Sequence, residues 1–101
     1  MAETTKVAEL SALTEQRTLA VKVGDKQVAL FLVDGTVLAT AGRCPHAAGF
    51  LHKGTVAEGK VSCPWHGWNW NLTTGACDES DELTLERYPV HVEGNDIYVV
   101  L

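Results

Sequence analysis

Apolar and polar residues alternate with a period of two along most of this chain, the spacing of half-buried strands. Thr18–Val23 places Leu19, Val21 and Val23 on one face. Gly24–Lys26 then reads as a turn. Gln27–Val33 carries apolar residues on both faces, Val28, Leu30 and Leu32 against Ala29, Phe31 and Val33, which predicts a central strand. Asp34-Gly35 is a strong hairpin signal because both residues tolerate positive φ, and Thr36–Thr40 is the returning strand. Near the end, Glu82–Val92 alternates through Leu83 and Leu85, with Pro89 marking an edge or a bulge. Glu93–Asp96 reads as a turn and Ile97–Leu101 as the closing strand. A helix is expected only at Val7–Gln16. Short, evenly spaced strands with turn residues between them imply an all-β fold, an antiparallel sandwich or small barrel.

The stretch from Arg43 to about Gly75 breaks this rhythm. It holds Gly49, Gly54, Gly59, Gly67 and Gly75, with Pro45 and Pro64, and reads as a loop-rich subdomain, about 42–75, inserted between strands. Loops on a rigid scaffold are where binding chemistry concentrates. The 101 residues suit a single domain, 1–101, whose core is thin enough that a bound metal would add noticeably to its stability.

Charge removes several function classes. The net charge is −5 and the basic residues are scattered, which argues against nucleic acid and anionic membranes as partners. The longest apolar run, Val28–Val33, is far too short to span a bilayer. Met1–Leu10 lacks the apolar stretch of a signal peptide, so a cytoplasmic location is expected. The acidic run Cys77–Leu83 reads as a solvated loop, or more sharply as a docking patch for a basic partner. Three cysteines make a poor disulfide framework, which leaves them as metal ligands or ordinary buried residues.

The chemistry lies in one pattern: Cys44-x-His46, then 16 residues, then Cys63-x-x-His66. Two thiolates and two imidazoles suit zinc or an iron–sulfur centre. Structural zinc sites usually draw like donors from each segment, whereas here each loop offers one cysteine and one histidine. A two-metal centre straddled by both loops explains that order better. A Cys–His nucleophile–base pair would use one loop and leave the other idle.

These loops, Cys44–Gly54 and Val61–Cys77, resemble the cluster-binding loops of Rieske-type [2Fe–2S] proteins, and Tyr88–Val99 resembles that family's closing strands. The resemblance implies one [2Fe–2S] cluster, with Cys44 and Cys63 on one iron and His46 and His66 on the other. It implies histidine ligation through Nδ1, with Nε2 facing outward where a partner docks. The function it implies is an electron carrier, with no active site of its own, between a flavin reductase and a terminal oxygenase. The alternative is a small Rieske subunit working with the large subunit of an assimilatory nitrite reductase. A structural zinc module is a third reading.

Two neutral imidazoles in place of two thiolates leave the oxidised cluster formally neutral, so it accepts an electron more readily than a four-thiolate cluster. Rieske centres accordingly run at about −150 to +300 mV, against about −400 mV for plant-type ferredoxins. A potential near the bottom of that range is expected here. High-potential relatives join their two loops by a disulfide, whose matching positions here are Gly49 and Trp65. They also place Ser and Tyr hydroxyls where this chain has Trp68 and Trp70. Trp65, Trp68, Trp70 and Phe50 are expected to pack beneath and around the loops. The first loop departs from the family pattern, with Gly49 displaced by one place and Phe50 where relatives have proline. Cys77 matches no ligand position and reads as a buried or partly exposed thiol, and His52 and His91 as ordinary polar residues.

Overall fold

The computed structural model describes residues 4–42, 50–64 and 67–100. Among the described residues, twelve strands form three antiparallel sheets. The first joins β1 (Thr4–Glu9), β12 (Asp96–Val100) and β11 (Val90–Glu93) in the order β1-β12-β11. The second runs β10-β4-β3-β2, with β2 at Thr18–Val23, β3 at Lys26–Val33, β4 at Thr36–Ala41 and β10 at Arg87–Tyr88. The third is a meander of short strands: β5 (Thr55–Ala57), β6 (Lys60–Ser62), β7 (Asn69–Asn71), β8 (Ala76–Cys77) and β9 (Ser80–Thr84). This is the expected all-β antiparallel architecture.

β3 is the central strand that its two apolar faces predict. It pairs β2 from Thr18↔Phe31 to Val23↔Lys26 and β4 from Val28↔Ala41 to Val33↔Thr36. Val28, Ala29, Leu30 and Phe31 are all fully buried. Because neighbouring side chains point to opposite faces, β3 serves two cores. Ala29 and Phe31 pack with Leu51, Val61, Cys63, Trp70, Leu72, Cys77 and Leu85. Val28 and Leu30 pack with Leu13, Ala39, Ile97 and Val99. The β3–β4 hairpin turns at Asp34 and Gly35, with φ of 49° and 79°, the two positive values that a type I′ turn requires.

Three expectations need correction. The helix is one short element, α1 (Leu10–Gln16), and Val7–Glu9 belongs to β1. The open flank of β12 supplies ladder hydrogen bonds to β1, which outweigh weak helix propensity there. Asn95, in the turn before β12, caps α1: its backbone carbonyl accepts from Leu10 N at 2.7 Å and its Oδ1 from Ser11 N at 2.9 Å. Second, Glu82–Val92 is not one strand but parts of β9, β10 and β11, separated by Leu85-Glu86 and Pro89. Third, the loop-rich stretch contains β5, β6 and β7, and their sheet runs on to Thr84. Strands of two or three residues are too short for alternation to register. No helix among the described residues is long and apolar enough to cross a membrane.

Candidate metal centre

Two closures tie the bases of the loop regions to the scaffold. Gly42 N donates to Gln27 O at 2.8 Å, and Leu51 N donates to Gly42 O at 3.0 Å. The chain therefore leaves β4 and returns at the same point, and Leu51 is buried immediately after its return. A 3₁₀ turn, Leu51–Lys53, follows and leads into β5. The Thr18 hydroxyl donates to His52 O at 2.8 Å and ties this turn to β2.

The second closure is the β6–β7 hairpin. Val61 faces Trp70 and Ser62 faces Asn69. At its tip, Cys63 N donates to Trp68 O and Gly67 N donates to Cys63 O, both at 2.8 Å. Gly67 has φ of 73°, a conformation glycine adopts without steric cost. Cys63 thus sits at the end of a rigid ladder, 2% exposed, with its free thiol in the first core. Gly54 permits the close approach of the two loop bases, since a side chain there would collide with the Ser62 carbonyl.

A polar brace backs the hairpin. Asn69 N donates to Glu79 Oε1 at 2.7 Å and Asn69 Nδ2 donates to Glu79 Oε2 at 3.2 Å. Asp78 N donates to Asn69 O, and the Asp78 carboxylate pairs with Lys60 at 2.8 Å. Asp78 and Glu79 stay exposed in the turn before β9, as a solvated loop would have them, while their side chains engage β6 and β7 and the rest of the run, Ser80–Leu83, belongs to β9. Nothing in composition distinguishes a bracing carboxylate from a solvated one. The signal available was the position of the pair, in the turn between two strand-forming stretches.

Of the four predicted ligands, Cys63 is described and buried as a ligand needs to be. Cys44, His46 and His66 lie outside the described residues, as do Gly49 and Trp65. Among the described residues no three His, Cys, Asp or Glu side chains gather at one point. Trp70 is fully buried beneath the hairpin, and Trp68 packs partly buried against the same core, as expected. Phe50 is not an underpinning residue: it is 37% exposed, with its ring edge-on to His52 at 5.9 Å. Burial, and then the charge of Lys53, hold the His52 imidazole below its ordinary pKa. Cys77 is buried, with its thiol 3.8 Å from Glu79 Oε1.

The sequence profile of the Rieske [2Fe–2S] domain family matches residues 3–89. This chain belongs to that family. Its cofactor is accordingly one Rieske [2Fe–2S] cluster. The naphthalene 1,2-dioxygenase system ferredoxin component of Pseudomonas aeruginosa is 30% identical over 93 residues, 91% of this chain and 89% of that protein. Human apoptosis-inducing factor 3 is 35% identical over 80 residues, 78% of this chain, but the match spans only 13% of that much longer protein. Among solved structures, a protein assigned as an NADH-dependent nitrite reductase small subunit from Mycobacterium tuberculosis superposes with a TM-score of 0.90 at 25% identity, covering 100% of this chain and 96% of the other. A ferredoxin–oxygenase complex of carbazole 1,9a-dioxygenase contains a chain with a TM-score of 0.84 at 28% identity, covering 95% of this chain and 91% of the other. The described part of this Rieske chain fits such a cofactor on its own chemistry. Cys63 offers a soft sulfur donor in an apolar wall, and the buried Trp70 indole N–H finds no acceptor among the described residues.

Proposed function

We propose that this chain is a one-electron carrier, a single domain over 1–101 in which Cys44 and Cys63 hold one iron of the cluster and His46 and His66 hold the other. When bound, the cluster supplies a centre that accepts and releases one electron. Cys63 carries the reading: a free, buried thiol at the tip of a hairpin in a Rieske chain, where only ligation gives the sulfur a role beyond packing. The ladder of β6 and β7, with its Glu79 brace, places that sulfur at the hairpin tip. Rigid ligands keep the site in one geometry in both redox states, which lowers the reorganisation that electron transfer requires.

The partners in this reading are a flavin reductase as donor and a terminal oxygenase as acceptor, in a cytoplasmic system. The naphthalene dioxygenase ferredoxin, matched over nearly its whole length, and the ferredoxin bound to the carbazole oxygenase support it. A second reading, the small subunit of a nitrite reductase-like enzyme, is supported by the 0.90 superposition over the full chain.

The ligation is tested by iron and acid-labile sulfide content and by the EPR spectrum of the dithionite-reduced protein. Two irons and two sulfides per chain with a Rieske-type spectrum are expected, and a colourless zinc protein would overturn the reading. NADH-driven turnover of a dioxygenase with the chain as sole mediator supports the carrier. Stable co-purification with a large sirohaem enzyme, without such turnover, favours the subunit.

A further inference from the structure

The described residues leave two buried side-chain nitrogens without a hydrogen-bond partner, His52 Nδ1 and Trp70 Nε1. His52 is only half buried, and its other ring nitrogen gives it an alternative. Trp70 has neither escape. Its side chain is fully buried, and the indole nitrogen is a donor only. A buried donor without an acceptor bears the whole cost of losing water, whereas phenylalanine would place an aromatic ring here without that cost.

The surroundings narrow what could accept the bond. Trp70 stands between Val61 of β6 and Cys77 of β8. Val61 and Cys63 are two residues apart, and both bury in the same core as Trp70. The diagonal from Cys63 to Trp70 across the hairpin is one that a long aromatic side chain spans. Neither Cys63 nor Cys77 sulfur accepts the indole proton, nor does any other atom of the described residues. The other members of this core are Ala29, Phe31, Leu51, Val61, Leu72 and Leu85, all apolar. A buried water needs two to four polar partners, and the side chains of these core residues offer none beyond the indole and the two thiols.

We propose that the Trp70 indole donates a hydrogen bond to an inorganic sulfide of the cluster and thereby raises its reduction potential. This rests on the ligation reading above. The electron comes from the external reductant, and no covalent bond forms or breaks at the indole, which keeps its proton. Negative charge on sulfur grows on reduction, so the bond is stronger in the reduced state and favours it. Trp70 is thus a positioning and tuning residue. Its effect runs against the expectation of a potential near the bottom of the Rieske range.

The test uses the cluster-loaded protein. Trp70→Phe removes the donor, and 3-benzothienylalanine at position 70 removes it while keeping the two-ring shape. Both should retain two irons per chain and the visible spectrum. The equilibrium constant for accepting an electron should fall about tenfold in each, a downward shift of about 59 mV for one electron. ENDOR of the reduced wild-type protein in D₂O should show an exchangeable-hydrogen coupling that both variants lack. Intact clusters with unchanged potential and unchanged coupling would overturn the proposal. If Trp70→Phe fails to fold, the isostere and the wild-type ENDOR spectrum decide the matter. Wild-type protein without a two-iron cluster would sink the ligation reading itself, a failure seen in iron content rather than in potential.

Discussion

The two cores on either side of β3 are built by different means. The core around Leu13, Val28, Leu30, Ile97 and Val99 is enclosed mainly by strands of four to eight residues, with ladders continuous over β2, β3 and β4. Long ladders make register self-enforcing, because a slip of one residue would turn every apolar side chain to the wrong face. The core around Phe31, Leu51, Cys63 and Trp70 is enclosed mainly by strands of two to five residues. Its register is held by point contacts instead: Leu51 to Gly42, Cys63 to Trp68, and Asn69 to Glu79. A region assembled from turns and clamps can offer donors inward from several directions, but its stability depends on whatever joins those donors.

The sharpest way to break this comparison is to remove the metal. Cys63→Ser, His46→Ser or His66→Ser should each bleach the protein and reduce its iron to a small fraction of two per chain. A variant that kept full colour would end the ligand assignment. In the apoprotein, hydrogen exchange at the amides of Val61, Cys63, Trp70 and Leu72 should speed up at least tenfold, while β3 and β4 keep their protection. Equal loss in both halves would mean that they unfold as one unit and that the distinction is architectural only.

Cavities test the same contrast more gently. Phe31→Ala opens the cluster-side core and should cost about 3–5 kcal/mol, and Leu30→Ala, one residue away on the opposite face, about 2–5 kcal/mol. Phe31→Ala should also weaken cluster retention under chelator, while Leu30→Ala should not, as read by the rate of bleaching. Glu79→Ala frees both donors of Asn69 at a partly solvated site and should cost about 1 kcal/mol in chemical denaturation.

How legible each half was follows from the same difference. Thr18–Val23 matched β2 to the residue, and the two apolar faces of β3 announced its burial. Asp34-Gly35 announced its turn. The β5–β6 hairpin was missed although its turn has the same geometry, with φ of 53° at Glu58 and 77° at Gly59. Glutamate seldom adopts positive φ, so no residue preference marked it. β7, three residues long, was hidden within a run that stood out for its ligands and tryptophans rather than for any alternation. The ligands were legible for the opposite reason: coordination chemistry restricts residue type and spacing whatever the backbone does. The Glu79 brace was not, because its meaning depends on Asn69, ten residues away across a strand.

The smallest expected effects are at the edges of the comparison. Glu58→Asn eases positive φ in the turn and should stabilise by a few tenths of a kcal/mol. Burial, then the hydrogen bond from its hydroxyl to Glu86 at 2.5 Å, push the Tyr88 pKa from 10.0 up to about 12. The folded protein therefore holds the phenol proton where the unfolded chain has lost it. The associated stability is complete below pH 10 and lost as the pH rises towards 12. Tyr88→Phe should flatten that alkaline decline in a thermal melt series, and an unchanged slope would show that Tyr88 plays no part in it.

The double burial of β3 limits what can be transplanted. A fragment carrying both cluster loops, from Gly42 to Thr84, would leave behind the Ala29 and Phe31 wall on which Leu51, Cys63 and Trp70 rest. Engineers wishing to place this redox centre on another scaffold must therefore supply a substitute for that wall, because the loops alone would have no floor.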